Sequence, residues 1–176
     1  ALRRGGMSAV EITLRTDAAL ERIAAVKAAC SDMQVAAGTI TAPDEMSAAV
    51  SAGADFCVSP GLTAELLEHA SGSGVPFLPG VASASEVMLG RSFGLQTFKL
   101  FPAVPVGGMA LLKSLAGPFP GVQFCPTGGL TPDNFREFLA LPNVICCGGS
   151  WMAGESLVRE GRWDEIESLA RDAMAA

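Results

Sequence analysis

The chain has 176 residues, of which 49% are hydrophobic and 17% are charged, and its formal net charge is −6. This length is sufficient for one ordinary hydrophobic core, and an acidic chain without a basic run is a poor partner for nucleic acid. No apolar stretch reaches the roughly 18 residues that a membrane span needs, which argues against a membrane partner.

The chain opens with ALRRGG (1–6), whose glycines indicate the last turn of a helix and its end. After it, short apolar runs predict strands and helical spacing predicts helices. The predicted strands cover residues 9–15, 34–39, 55–60, 75–80, 97–102, 122–129 and 143–149. The predicted helices cover residues 17–30, 43–52, 63–71, 83–93, 107–116, 132–140 and 162–174. Ser83 and Glu86 have the spacing of a capping box at the start of the fourth helix.

Strand and helix alternate along the whole chain in units of about 20–25 residues, which is the pattern of parallel βα units. An open doubly wound sheet and a closed barrel both fit this alternation. No G-x-G-x-x-G loop follows the first strand, and several strands end in polar, glycine or proline residues. Because barrels carry their sites at the carboxyl ends of many strands, we predict an α/β fold, a single (β/α)8 TIM-type barrel domain over residues 1–176.

The seven predicted strands are one short of the eight that such a barrel needs. We therefore expect the domain to be N-terminally incomplete, with the first strand and most of the first helix absent from this chain. A closed seven-stranded barrel and a strand supplied by a partner are the alternatives. An open gap would expose two unpaired strand edges.

The cysteines indicate a reduced, cytoplasmic protein without a metal centre. They are Cys30, Cys57, Cys125, Cys146 and Cys147, they form no C-x-x-C pair, and the chain has one histidine. We expect buried core thiols, because disulfides are rare in the cytoplasm and a zinc site needs more ligands at suitable spacing.

The segment TFKLFP (97–102) places Lys99 within an apolar strand. Alternation puts Phe98 and Leu100 on the side that faces the helices, so Lys99 points into the barrel. Burial disfavours the charged form of an amine, and a neutral amine attacks ketones to form a Schiff base. Lys99 is therefore a candidate nucleophile.

The first predicted strand, AVEITLR (9–15), offers partners for this lysine. Its apolar residues alternate with Glu11, Thr13 and Arg15, which point inward by the same rule. A carboxylate can supply acid–base steps, and an arginine can grip a substrate carboxylate with two hydrogen bonds. A buried Lys99–Glu11 ion pair with a purely structural role is the alternative.

Glycines end the last two predicted strands, in Pro126-Thr127-Gly128-Gly129 and in Gly148-Gly149-Ser150. Backbone N–H groups without neighbouring side chains can surround a phosphate, and the loops after the seventh and eighth strands are a frequent phosphate site of barrels. Glycines also serve turns alone, which is the competing interpretation.

The segments EITLRT, AAGT, VSPGL, PFLPG, FKLFPA, FCPTGG and GGSW occur in an order and spacing that resemble the 2-keto-3-deoxy-6-phosphogluconate (KDPG) aldolase family. The resemblance covers essentially the whole chain. It implies a class I aldolase on a (β/α)8 barrel that cleaves 2-dehydro-3-deoxy-6-phosphogluconate to pyruvate and glyceraldehyde 3-phosphate. It also implies a cytoplasmic homotrimer of the Entner–Doudoroff pathway that requires no metal or cofactor.

The resemblance assigns roles to individual residues of this chain. It implies that Lys99 forms the Schiff base and that Glu11 is the general acid/base. The remaining implied site residues hold the substrate carboxylate (Arg15, Thr39), surround the phosphate (Gly128, Gly129, Gly149, Ser150) or line the substrate pocket (Thr127, Pro79, Phe101).

Two features leave the substrate open. The stretch VPVGG (104–108) stands where relatives often carry a more polar sequence, and it is expected to lie beside the site. Relatives also act on 4-hydroxy-2-oxoglutarate (KHG) or on the galactonate epimer, although Thr127 is typical of the gluconate type. A phosphate-binding isomerase or synthase and a non-catalytic binding module are the rival hypotheses.

Overall fold

The computed structural model describes residues 1–175, in which strands and helices alternate as predicted. The strands are β1 (Ala9–Thr13), β2 (Gln34–Gly38), β3 (Phe56–Val58), β4 (Phe77–Leu78), β5 (Gly80–Val81), β6 (Thr97–Leu100) and β7 (Gln123–Pro126). The α-helices are α1 (Ala19–Ala29), α2 (Pro43–Ser51), α3 (Ala64–Ser73), α4 (Ala84–Ser92), α5 (Gly108–Ala116), α6 (Phe135–Leu139), α7 (Glu155–Arg159) and α8 (Trp163–Met174). A 3-10 helix, Trp151–Ala153, and α7 are elements that the sequence did not predict.

All strand pairs are parallel and follow chain order, β1-β2-β3-β4 and β5-β6-β7. A doubly wound sheet reverses its strand order at a switch point, whereas a barrel does not. The strand order therefore confirms the barrel topology. Within residues 1–175, no strand pair joins β1 to the 143–149 segment.

The predicted strand 75–80 is divided into β4 and β5 by Pro79. Proline has no N–H to donate, so the ladder is interrupted there. The segment remains extended, because β4 pairs with β3 on one side and β5 pairs with β6 on the other. This segment joins the two hydrogen-bonded sheets into one array.

The predicted strand 143–149 is reduced to two isolated bridges, Phe124 with Val144 and Thr127 with Gly148. Four positions separate the bridged residues of this segment, whereas three separate those of β7 and the residue after it. The segment thus carries one extra residue, and such a bulge interrupts a regular ladder.

The hydrophobic core lies between the sheet and the surrounding helices, in two clusters. One cluster, around β2 and β3, includes Ile23 and Val35, and Val10 and Ile12 of β1 pack against it. The other includes Phe98 and Leu100 of β6, both completely buried, with Leu112 of α5 and Phe124 of β7. The apolar residues of β1 and β6 therefore face the helices, as alternation predicted.

The start of the chain forms a single hydrogen-bonded turn with the features of the helix end that ALRRGG predicted. The N–H of Met7 donates to the carbonyl of Leu2 at 3.1 Å, and the N–H of Gly6 donates to that of Arg3 at 3.0 Å. Gly6 has a φ of 97°. These are the bonds of a Schellman motif, in which glycine at the left-handed position ends a helix.

Candidate active site

The side chains of Lys99 and Glu11 meet on the face of the sheet that points away from the helices. The Nζ atom of Lys99 lies 3.3 Å from Oε1 and 3.5 Å from Oε2 of Glu11. The Lys99 side chain is 7% exposed, whereas that of Glu11 is 32% exposed. The pair is thus buried on the lysine side and open to solvent on the carboxylate side.

The central position of β6 holds Lys99 in place. Its neighbours across the ladder are Gly80 on β5 and Cys125 on β7. Its main-chain N–H donates to the carbonyl of Pro79 at 2.9 Å. Because the adjacent residues Phe98 and Leu100 are buried among the helices, the lysine side chain must project to the opposite face.

Phe101 lies beside this ammonium group, with its ring centroid 5.1 Å from Nζ. This distance is within the range of a cation–π contact. Gly128 brings the next loop against the same ring: a Cβ atom at Gly128 would lie 3.3 Å from Cε2 of Phe101 and 3.2 Å from Cα of Pro102. The PTGG turn therefore packs directly on the end of β6.

Arg15 and Thr39 follow the ends of two adjacent strands. Leu14 donates its N–H to the carbonyl of Gly38 at 2.8 Å, which aligns the two ends. Arg15 is exposed, and its Nε donates to Oγ1 of Thr13 at 3.1 Å. Thr39 has a φ of 64°, which is unusual for a β-branched residue and is typical of strained positions at functional sites.

The two glycine-rich loops lie side by side, because Thr127 pairs with Gly148. Within residues 1–175, no chain atom accepts a hydrogen bond from the main-chain N–H groups of Gly128, Gly129, Gly149 or Ser150. Gly128 and Gly129 have φ values of 97° and 81°, which only glycine adopts readily. The pair of loops thus presents several free N–H donors.

The VPVGG loop lies beside these glycines, as expected. The N–H of Val104 donates to the carbonyl of Gly128 at 3.0 Å. A Cβ atom at Gly129 would lie only 2.7 Å from Cβ of Val104. Val104 is 44% exposed, so the loop adds an apolar surface next to the free N–H groups.

The prediction of buried cysteines is wrong for Cys146, which is exposed, and only partly right for Cys30 and Cys147. The segment 143–149 leaves the regular ladder at its bulge, so alternation no longer decides which side chains are buried. The neighbouring Cys146 side chain, followed by burial, raises the pKa of Cys125. The Cys125 side chain lowers the pKa of Cys146.

Two further observations concern membrane-spanning helices and metal sites. No helix of the described residues is long and apolar enough to cross a membrane. Within that same range, no three His, Cys, Asp or Glu side chains lie close enough together to hold a metal ion.

Comparison with known proteins agrees with this geometry. The profile of the family described as KDPG and KHG aldolase matches residues 1–169. A 2-dehydro-3-deoxy-phosphogluconate aldolase from Pseudomonas aeruginosa is 49% identical over 174 residues, which are 99% of this chain and 79% of that protein.

Two solved structures share the fold. A KDPG aldolase from Legionella pneumophila, with pyruvate captured as a covalent carbinolamine, has a TM-score of 0.96 at 42% identity, covering 98% of this chain and 84% of that one. The aldolase from Zymomonas mobilis with 3-phosphoglycerate has a TM-score of 0.90 at 44% identity, covering 98% and 80%. By its sequence, its fold and the buried lysine in the sheet interior, this chain belongs to the KDPG and KHG aldolase family.

Proposed function

We propose that the protein is a class I aldolase that cleaves 2-dehydro-3-deoxy-6-phosphogluconate to pyruvate and glyceraldehyde 3-phosphate through an imine on Lys99. The observation that carries the proposal is the buried Nζ of Lys99, 3.3 Å from the Glu11 carboxylate. The Legionella relative holds pyruvate as a carbinolamine, which is the adduct of an amine with a ketone. Of the three lysines, Lys27 is paired with Asp55 and Lys113 is exposed, which leaves Lys99 for this chemistry.

The geometry of the pair favours catalysis over a structural ion pair. The Nζ–Oε distances of 3.3 and 3.5 Å exceed the roughly 2.7–2.9 Å of a tight charge-assisted hydrogen bond. The pair is therefore looser than a tight charge-assisted ion pair. A structural ion pair would be expected to be buried on both sides, whereas Glu11 is 32% exposed.

In the proposed reaction, the neutral Lys99 amine adds to the substrate C2 carbonyl, and loss of water gives a protonated imine. The C3–C4 bonding electrons move into this imine while Glu11 takes the C4 hydroxyl proton, which releases glyceraldehyde 3-phosphate. Glu11 then returns a proton to C3 of the resulting enamine. Water hydrolyses the imine, which releases pyruvate and regenerates Lys99.

The remaining site residues bind the two ends of the substrate. Arg15 and Thr39, at adjacent strand ends, would hold the carboxylate, while Phe101, Thr127 and Pro79 would line the middle of the pocket. The phosphate would lie on Gly128, Gly129, Gly149 and Ser150. The free N–H groups of these last residues support this placement, because such groups bind anions.

Other properties of the family are carried over as part of the proposal. We expect a cytoplasmic homotrimer that acts in the Entner–Doudoroff pathway. KHG is the second candidate substrate, because the matching family is described by both activities. Light scattering after size-exclusion chromatography tests the oligomer, and a mass equal to one chain would contradict a trimer.

Borohydride reduction in the presence of pyruvate, followed by peptide mass mapping, tests the imine. We expect a reduced pyruvate adduct on Lys99 in the original protein and none in Lys99→Arg, because guanidinium stays protonated and cannot add to a ketone. Lys113→Arg is the matched control and should still be labelled on Lys99. An unlabelled Lys99 in folded protein, or normal turnover by Lys99→Arg, would overturn the mechanism in favour of an isomerase or a binding module.

A further inference from the structure

Gly38, the last residue of β2, lies directly against the Glu11 side chain. A Cβ atom placed on Gly38 would be 2.0 Å from Oε1 of Glu11 and 2.6 Å from both Cγ and Cδ. Real Cβ contacts are essentially never shorter than 3.0 Å. The carboxylate therefore occupies the volume that any other residue at position 38 would fill.

The need for glycine at this position is one of space and not of backbone conformation. Gly38 does not have a positive φ, so its backbone is one that other residues can adopt. It is paired with Thr13 of β1 in the regular parallel ladder. Glycine within a strand weakens it and commonly marks a close approach of another group. The three atoms nearest to the missing Cβ all belong to Glu11, so this side chain is the group that approaches.

The resulting position of the carboxylate matters for the reaction. Glu11 reaches Lys99 across the barrel interior from β1, and its side chain is otherwise partly open to solvent. A long side chain at an exposed strand has several rotamers available. Because Gly38 has no side chain, Glu11 can adopt the rotamer seen here, which places its carboxylate 3.3 Å from Nζ.

We propose that Gly38 is a positioning residue that, by lacking a side chain, makes room for the Glu11 carboxylate beside the Lys99 imine. This inference rests on the proposed function, in which Glu11 moves protons at C3 and C4 of the substrate. A methyl group at position 38 displaces the carboxylate and slows those proton transfers. It leaves the Lys99 amine able to form the imine.

The variant Gly38→Ala separates these two steps. Pyruvate tests both, because borohydride traps its imine and NMR follows the exchange of its methyl hydrogens for solvent deuterium. We expect Gly38→Ala to be labelled on Lys99 while its exchange rate falls roughly 10²-fold, since a displacement of about 1 Å has such effects. The matched control is Gly72→Ala in α3, where an added Cβ meets nothing within 4 Å and exchange should be unchanged.

A second pair of variants applies even if Gly38→Ala folds poorly. In Glu11→Ala the volume beside position 38 is empty, so adding Gly38→Ala should raise the thermal unfolding midpoint, because alanine loses less backbone freedom on folding than glycine does. In the original background the clash with Glu11 should cancel or reverse this increase. If the methyl changes the midpoint by the same amount in both backgrounds, it is not coupled to Glu11, and the proposal is wrong.

Failure of this inference differs from failure of the proposed function. Normal exchange in Gly38→Ala, together with slow exchange in Glu11→Gln, would overturn the role of Gly38 and leave Glu11 as the base. Normal exchange in Glu11→Gln would overturn both. Loss of borohydride labelling in folded Gly38→Ala would also contradict the inference, because the methyl would then disturb Lys99 itself.

Discussion

Lys99 and Glu11 are 88 positions apart in the chain, and the role of each residue depends on its contact with the other. An unpaired buried ammonium group is costly, so a lysine within an apolar strand must be paired or used. The structure provides a partner on one side and leaves that partner partly exposed. The same pair can therefore compensate the charge in the resting protein and exchange protons with a bound substrate.

At the same scale, Ser150 tests the proposed phosphate site. Ser150→Ala removes one hydroxyl donor while the main-chain N–H remains. A hydrogen bond to a charged group contributes about 1.5–3 kcal/mol, so we expect kcat/KM for the KDPG substrate to fall roughly 10–100-fold. KHG carries no phosphate, and its kcat/KM should be unchanged.

The control for this prediction is Ser114→Ala, an exposed serine of α5, which should leave both activities unchanged. Equal losses on the two substrates in Ser150→Ala would place Ser150 outside the phosphate site.

At the scale of elements, α4 begins where its capping box predicted. The Ser83 hydroxyl accepts from the N–H of Glu86 at 3.4 Å, and the Glu86 carboxylate accepts from the N–H of Ala82 at 2.7 Å. Such caps satisfy N–H groups that have no partner within the helix. This part of the fold depends on residues that are close in sequence.

Ser83→Ala should lower the free energy of unfolding by about 1 kcal/mol, because one of these N–H groups loses its acceptor. For a chain of this size, that corresponds to a decrease of about 2–4 °C in the thermal midpoint. Calorimetry measures it. Ser92→Ala in the last turn of the same helix is the control, since its hydroxyl donates to a helix carbonyl. A loss of stability in Ser92→Ala equal to that in Ser83→Ala would argue against the cap.

Two elements show where local rules were insufficient. Pro79 divides the predicted strand 75–80, yet the segment pairs on both sides, because the missing N–H interrupts one ladder position only. The segment 143–149 has the apolar run of a strand but carries an extra residue relative to β7. An apolar run indicates that a segment is buried, but it does not show that an extra residue interrupts the ladder with the neighbouring strand.

At the scale of the whole molecule, Asp55 links three elements of the first half. Its carboxylate accepts from Nζ of Lys27 in α1, with both oxygens at 2.8 Å, and from the N–H of Val35 in β2 at 2.7 Å. Asp55 itself lies just before β3. The hydrogen bond from Lys27, followed by that from Val35, lowers the pKa of Asp55 below its usual value.

This lowered pKa predicts how stability depends on pH. The contribution of Asp55 is present above the unfolded-state pKa of about 3.9 and is lost as the pH falls through the lower folded-state pKa. Asp55→Ala should therefore be less stable at pH 7, by about 1 kcal/mol because water screens a partly exposed pair. Urea unfolding between pH 7 and pH 2.5 should show the difference becoming smaller in acid.

Asp32→Ala is the control for the pH experiment. Asp32 pairs with Arg3 at 3.0 Å, but both side chains are more than half exposed. An exposed ion pair contributes little, so this variant should follow the original protein at every pH. A difference between Asp55→Ala and the original protein that persists unchanged at pH 2.5 would mean that the carboxylate charge is not responsible.

The sequence by itself determined the alternation of strands and helices, the faces of β1 and β6, the helix end at Gly6 and the cap of α4. These features depend on residues within a few positions of each other, where periodicity and capping act directly. It also singled out Lys99 and Glu11 as a candidate pair, because both point away from the apolar face of their strands.

Only the tertiary structure decided the distances and the contacts between segments. It placed Nζ of Lys99 3.3 Å from Glu11 and exposed Cys146 through the bulge opposite β7. It also placed the carboxylate of Glu11, on the adjacent strand, directly against Gly38. No local sequence pattern shows this contact. These properties depend on register and packing between distant segments, which single-chain periodicity does not contain.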